Sequence, residues 1–109
     1  MMETHEIALI YTTLPSREAA KAMARSLLEA RLAACCNILA PMTALYRWEG
    51  RLTEDEEIPM LIKTRRALTP AAIEAARAHH PYQVPCFLLL PVAGAHEPYL
   101  DWLLQETRE

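Results

Sequence analysis

Two short segments of this 109-residue chain are apolar at every position: residues 7–11 (IALIY) and residues 86–90 (CFLLL). A strand with one face in water alternates apolar and polar residues, and these segments do not alternate. Both segments are also far too short to cross a membrane as a helix, which takes about 18 apolar residues or more. We therefore predict two strands, at residues 7–13 and 85–92, that are buried on both faces.

Helix signals lie outside these two strands. Ser16 is a suitable N-cap, and the apolar residues that follow it recur at helical spacing. Thr69 followed by Pro70 predicts a second helix, with Thr69 as N-cap and Pro70 at the first helical position, and Pro81 ends that helix. Pro98 opens a last helix. The sequence therefore predicts three helices.

The middle of the chain has the pattern of two antiparallel strands. Residues 32–48 are mostly apolar, Glu49-Gly50 supplies a turn, and residues 58–64 form the returning strand. Pro59 cannot donate a ladder hydrogen bond, so we expect it at a sheet edge or a bulge. The order β-α-β-β-α-β-α predicts an α+β fold of the ferredoxin-like split βαβ type, with one antiparallel sheet and an added C-terminal helix. The length suits a single domain, residues 1–109.

A sheet of this type has one face that its own helices do not cover. Two helices lie on the other face, yet the strands at 7–13 and 85–92 are apolar on both sides. At about 25 cal/mol per Å² of apolar surface, a wet sheet face would forfeit many kcal/mol. A fold of this kind has only ~5–15 kcal/mol of net stability. A second copy of the same sheet is the simplest cover, so the pattern predicts self-association without fixing the number of copies.

The charge and the termini exclude several classes of partner. The formal net charge is −3, and binding of nucleic acid requires a basic face, so we predict no nucleic-acid partner. The N-terminus lacks the pattern of a signal peptide, and we expect neither secretion nor a membrane partner. Three cysteines without a CxxC spacing fit reduced thiols in the cytoplasm, which is the predicted location.

Signals for catalysis are lacking in the sequence. Only two glycines are present, which leaves no glycine-rich loop for a phosphate. There is no nucleophile elbow and no HExxH zinc motif. We predict that the chain is not an enzyme and that it holds no organic cofactor.

The most suggestive polar pair is His79-His80, in the predicted last turn of the second helix. The carbonyl end of a helix attracts cations, and neutral imidazole is a good ligand for copper, zinc and nickel. Adjacent helical residues point about 100° apart, so a complete site needs a third ligand from elsewhere. The alternative is that one histidine is packed and the other is hydrogen-bonded at a helix stop.

Three further clusters have both a functional and a structural interpretation. Tyr46 and Trp48 lie on the same face of a strand, where they can line a cleft or seal an interface. Lys63 and Arg65 belong to a basic cluster at a strand end, which can meet an anion or remain solvated. The acidic run at residues 54–57 can bind a hard cation, but we expect a solvated loop.

Motifs spread over almost the whole chain resemble those of the CutA divalent-cation tolerance proteins. They are residues 14–18 (LPSRE), 31–35 (RLAAC), 45–50 (LYRWEG), 61–64 (LIKT), 79–85 (HHPYQVP) and 99–103 (YLDWL). The resemblance implies a ferredoxin-like subunit in a cytoplasmic homotrimer, similar in architecture to PII-type signalling proteins. It also implies a role in tolerance of copper and other divalent ions.

The resemblance further implies which residues bind metal. Metal ligands of the family match His79 and His80, while the position of a family cysteine is occupied by Thr12. Without that thiolate, Cu(I) binding is weakened, and Cu(II) or another divalent cation is the expected ion. We therefore predict His79 and His80 as the metal ligands.

A second hypothesis is a PII-like trimeric signalling or scaffold module. Its intersubunit cleft would receive a small anionic metabolite or a loop of a partner, with Lys63 and Arg65 nearby. Tyr46, Trp48, Tyr82 and Trp102 complete the set of residues predicted to form the interface or cleft.

Overall fold

The structure, a computed structural model, describes residues 1–109 as seven strands and three α-helices. The strands are β1 Met2–Glu3, β2 Ile7–Leu14, β3 Cys35–Ile38, β4 Met42–Trp48, β5 Arg51–Arg65, β6 Phe87–Pro91 and β7 Gly94–Ala95. The helices are α1 Arg17–Glu29, α2 Thr69–His79 and α3 Glu97–Glu106, with a 3₁₀ turn at Arg66–Leu68 before α2. None of the three α-helices combines the length and the apolar character that a membrane-spanning helix requires.

The main sheet confirms the predicted split βαβ arrangement. Its strands lie in the order β3-β5-β2-β6, and every neighbouring pair is antiparallel. Strands β2 and β3 therefore run parallel to each other on either side of β5, with α1 as the crossover. The short strands β1 and β7 form a separate antiparallel pair that the sequence did not predict.

Strand β5 is 15 residues long and changes partner halfway along its length. Its first half pairs with β4, from Trp48↔Arg51 to Met42↔Glu57, and its second half pairs with β2 and β3. Glu49 and Gly50 both have positive φ, 49° and 78°, as a two-residue type I′ turn requires. That turn continues directly into the strand, so the predicted acidic loop at residues 54–57 is wrong: these residues are paired in β5.

Pro59 lies where β5 exchanges one neighbour for another. The β4 pairing ends at Glu57 and the β3 pairing begins at Met60. On its other side Pro59 is paired with Thr13 of β2, so it does not lie on an edge strand. Pro59 therefore lies between the residues that pair with β4 and those that pair with β3. A residue without an N–H group is tolerated there.

Helices α1 and α2 cover one face of the main sheet. Ser16 caps α1 as predicted, because its Oγ accepts a hydrogen bond from Ala19 N at 3.1 Å. Thr69 is not the N-cap of α2, since the 3₁₀ turn precedes it and its Oγ1 donates to Arg66 O at 2.8 Å instead. The core between helices and sheet is formed by Ile10, Leu14, Ala20, Met23, Ala24, Leu27, Leu32, Ala33, Ile58, Met60, Ile62, Leu68, Ala72 and Ala76.

The opposite sheet face, which we call the open face, is covered only at one end. There α3 packs Leu100 and Leu103 against Ile7. Strand β2 is largely buried, as predicted, but β6 is not: Leu88 is 56% exposed and Leu90 is 40% exposed. The reason is that β6 is an edge strand with β2 as its sole neighbour in the main sheet. Within one subunit, a large part of the apolar surface therefore remains in contact with water.

Two fully buried threonines make a matched pair for a stability test. Thr64 Oγ1 donates to Leu32 O at 2.6 Å, whereas Thr12 Oγ1 is the one buried side-chain polar atom without a hydrogen-bond partner. Thr64→Val would leave a buried carbonyl unpaired, so we expect a loss of about 1–3 kcal/mol. Thr12→Val removes an unsatisfied hydroxyl, so we expect no loss or a gain of up to about 1–2 kcal/mol.

Urea unfolding of both variants at one protein concentration measures the difference. Equal destabilisation by the two substitutions would contradict this account of the core, because only Thr64 has a partner to lose.

Candidate functional site

A groove of about 510 Å³ opens between the β4–β5 hairpin and the segment that follows α2. Its aromatic residues are Tyr46, Trp48 and Tyr82, and its charged residues are Asp55 and Glu57. We call this cavity the acidic groove. It gathers three of the six residues predicted to form the interface or cleft.

The period of two along each strand explains how the hairpin wall forms. Tyr46 and Trp48 are two residues apart on β4 and face the same side. Asp55 and Glu57 share that side on β5, because the cross-strand pairs are Ala44↔Asp55 and Met42↔Glu57. The tyrosine hydroxyl of Tyr46 donates a hydrogen bond to Asp55 Oδ2, which fixes one carboxylate against the wall.

The opposite wall is formed by the chain as it leaves α2. Residues 81–84 and Cys86 line it, and Tyr82 is half-buried there. Burial raises the pKa of the Tyr82 phenol to about 12, and the carboxylates of Glu57 and Asp55 act in the same direction. The phenol of Tyr82 is therefore a neutral hydrogen-bonding group.

The pKa values of two other acidic groups of the groove are also raised. The pKa of Tyr46 is raised first by its hydrogen bond to Asp55. The pKa of the Cys86 thiol is raised by burial and then by Glu57. No lysine, arginine or histidine lines the groove. Its electrostatic character is negative and aromatic, which suits a cation and disfavours an anion.

His80 lies next to the groove with both ring nitrogens engaged. Its exposed fraction is 9%, Nδ1 accepts a hydrogen bond from Tyr82 N at 3.2 Å, and Nε2 lies 2.9 Å from Thr13 O. Because Nδ1 is an acceptor, Nε2 carries the proton and donates it to the Thr13 carbonyl. The imidazole also contacts the rings of Tyr82 and Phe87, with centroids 4.9 and 5.7 Å away. Burial lowers the pKa of His80.

The two predicted metal ligands therefore differ in their surroundings. His79 is exposed at the last residue of α2, whereas His80 is the C-cap with extended backbone. No group of three or more His, Cys, Asp or Glu side chains within the chain is arranged to hold a metal ion. Thr12 is fully buried in the sheet. Metal binding by His79 and His80 stays a prediction.

Lys63 and Trp102 belong to a second cluster, on the open face beside α3. Lys63 Nζ lies 3.2 Å from Tyr99 Oη and 5.4 Å from the centroid of that ring. The Tyr99 and Trp102 rings are 5.4 Å apart. Lys63 lies six positions after Glu57 on β5, roughly 20 Å away at about 3.3 Å per residue. The structure thus does not bring Lys63 and Trp102 into the acidic groove.

Arg65 has a structural role at the far end of β5. Its Nε donates to Thr107 Oγ1 at 2.9 Å, and its guanidinium also donates to the Leu104 carbonyl. Arg31 donates to the carbonyls of Gln105 and Glu106 beside it. The two cations satisfy the carbonyl groups at the end of α3, which is where a helix dipole favours positive charge.

Sequence reasoning missed two residues of the groove. Asp55 and Glu57 were expected in a solvated loop. In the structure they are paired in β5 and form the charged wall of the groove. A usable signal was their spacing of two residues, which places both carboxylates on one face of any strand. Of the predicted cleft residues, Tyr46, Trp48 and Tyr82 meet in the groove.

Comparisons with known proteins agree with one another over nearly the full chain. Residues 8–106 match the family described as CutA1 divalent ion tolerance protein. The divalent-cation tolerance protein CutA of Thermus thermophilus is 45% identical over 102 residues, which cover 94% of this chain and 97% of that protein. The chloroplastic protein CutA of Arabidopsis thaliana is 41% identical over 100 residues, 92% of this chain, but the chain spans only 55% of that relative's length.

A solved structure supports the same assignment. The crystal structure of CutA1 from Oryza sativa superposes with a TM-score of 0.93 at 40% identity, covering 97% of each chain. The fold, the family match and the identity to full-length relatives therefore confirm the resemblance found in the sequence. This chain belongs to the CutA1 divalent ion tolerance protein family.

Proposed function

We propose that the protein binds divalent cations, copper among them, and works as a cytoplasmic homotrimer that sequesters or senses the ion. The observation that carries this proposal is the exposed imidazole of His79 at the carbonyl end of α2, in a chain whose relatives are named for divalent-cation tolerance. The helix end favours a cation there, and imidazole suits Cu(II).

The contacts of His80 determine how strongly the pair can bind. The lone pair of Nδ1 is occupied by the Tyr82 N–H, and Nε2 carries a proton that it donates to Thr13 O. His80 must release one of these hydrogen bonds before it binds an ion. We therefore propose His79 as the first ligand and His80 as a second ligand recruited at an energetic cost. A neighbouring subunit would supply the remaining ligands.

The open face supports assembly into an oligomer. Leu88 and Leu90 of β6, with Tyr99 and Trp102 of α3, leave large apolar side chains in water. Tyr and Trp are typical anchors of protein interfaces, and a closed ring of copies covers such a face in every subunit. The trimer is the state that the resemblance to the CutA proteins implies.

The states of the Cys86 thiol and of the His80 imidazole are consistent with binding rather than with catalysis. Cys86 lines the groove, but its raised pKa keeps the thiol protonated and a poor nucleophile. Both nitrogens of His80 are already hydrogen-bonded, so the imidazole is not a free base. The pair therefore lacks the arrangement that nucleophilic catalysis needs.

The three free cysteines are compatible with the proposed cytoplasmic location, since reducing compartments keep thiols unpaired. One relative is named as chloroplastic, so members of the family occupy more than one compartment. The alternative PII-like module with an anionic metabolite is less favoured, because Asp55 and Glu57 give the groove the wrong charge.

Calorimetric titration with Cu(II) tests the proposed metal site. We expect saturable binding near one ion per subunit, with His79→Ala lowering the affinity at least tenfold because it removes the exposed ligand. The matched control is His96→Ala, which removes an exposed histidine at the start of α3. Equal loss in the two variants, or the same weak heats in all three proteins, would mean adventitious surface binding.

The pH dependence of stability tests the contacts of His80. Its pKa in the folded protein lies below the ordinary value of about 6.5, so the unfolded chain binds the proton more readily. The stabilisation by neutral His80 is therefore complete above that ordinary value and is lost as the pH falls below it. We expect the urea midpoint of the wild type to fall more between pH ~7.5 and ~5.5 than that of His80→Gln. Parallel falls in both proteins would refute the buried, neutral imidazole.

A further inference from the structure

The acidic groove holds two carboxylates and no cation to balance them. The only salt bridge in the chain joins Arg77 to Glu74, on the exposed side of α2. Asp55 is exposed and accepts a hydrogen bond from the phenol of Tyr46, whereas Glu57 is half-buried beside the phenol of Tyr82 and makes no ion pair. A carboxylate that is partly removed from water without a counter-charge is unfavourable, so the groove favours a positively charged ligand.

The spacing of the carboxylates restricts the shape of that ligand. Asp55 and Glu57 are two residues apart on β5, so their backbone positions are separated by about 6–7 Å. No third His, Cys, Asp or Glu completes a metal-binding group with them. A single compact ion would therefore be held poorly, while two positive groups at a similar separation would each meet one carboxylate.

The aromatic side chains of the acidic groove restrict the chemistry of its ligand. Tyr46 and Trp48 stand on the hairpin side, and Tyr82 stands on the opposite side. Aromatic faces attract ammonium groups and also cover methylene groups, so they suit a ligand that is charged at its ends and apolar between them. Arg51 shares the face of the hairpin but pairs with Trp48 at its tip and does not line the groove.

We propose that the acidic groove is a binding site for a short alkyl diamine. One ammonium group binds the carboxylate of Asp55 and the other binds that of Glu57, through charge-assisted hydrogen bonds. The methylene chain lies between the rings of Trp48 and Tyr82. This site uses neither His79 nor His80, so it goes beyond the metal binding proposed above and does not depend on it.

The test is a calorimetric titration of the wild-type protein with putrescine, in its native oligomeric state and at low ionic strength. We expect saturable binding that weakens with added salt, and no binding of the neutral diol of the same chain length. Glu57→Gln should lower the putrescine affinity at least tenfold. The matched control is Glu56→Gln, since the adjacent side chain points to the other face of β5 and should leave the affinity unchanged.

Tryptophan fluorescence gives a second readout. Putrescine should change the emission of the wild type, and Trp48→Phe should abolish that change. His79→Ala should bind putrescine as the wild type does, which separates this site from the proposed metal site.

Four outcomes would overturn the proposal. They are equal binding of the diol, equal losses in Glu57→Gln and Glu56→Gln, no binding of putrescine, and dissociation of the oligomer by Glu57→Gln without any putrescine site. The last result would mean that a cationic side chain of a neighbouring copy fills the groove.

Discussion

Strand β5 belongs both to the main sheet and to the β4–β5 hairpin, and the rest of the structure depends on its pairing. Residues 58–65 pair with β2 and residues 60–63 also pair with β3, over a core in which Met60 and Ile62 are fully buried. Residues 51–57 extend beyond that core and pair only with β4. The hairpin has little hydrophobic support of its own, and an isolated two-stranded hairpin is marginally stable in water. Its position is therefore set by the half of β5 that the core holds.

The second wall of the acidic groove is attached to the same core by His80. The imidazole donates to the Thr13 carbonyl of β2 and accepts from the Tyr82 N–H. This one side chain ties the segment after α2 to the central strand and orients Tyr82. A residue that the sequence suggests as a metal ligand is thus also a structural link, and these two roles compete for the same nitrogen atoms.

The sequence predicted those elements whose signals are local. Ser16 caps its helix through a neighbouring N–H, and Glu49-Gly50 forms its turn with its own backbone angles. The hairpin was missed in part, because residues 54–57 are acidic and a polar strand has no apolar period to reveal it. The cap of α2 was misplaced, because the 3₁₀ turn at Arg66–Leu68 gives Thr69 a carbonyl partner inside the helix start.

Long-range contacts account for the remaining differences. Lys63 and Arg65 are close in sequence to groove residues on β5, but an extended strand carries them to α3. The hydrogen bond between His80 and Thr13 joins residues 67 positions apart, a separation that no local pattern reports. Asp55 and Glu57 were distinguished from the other residues of the acidic run only when the fold placed Tyr82 opposite them.

The open face links the fold to the proposed function, because its apolar strands need a cover that one subunit does not provide. Leu88 remains 56% exposed on the edge strand β6, and α3 covers only the far end of the sheet. The most direct measurement is the mass of the wild-type particle by sedimentation equilibrium over a range of micromolar concentrations. The account predicts one species at three times the subunit mass of 12.4 kDa. A single-subunit mass at every concentration would contradict it.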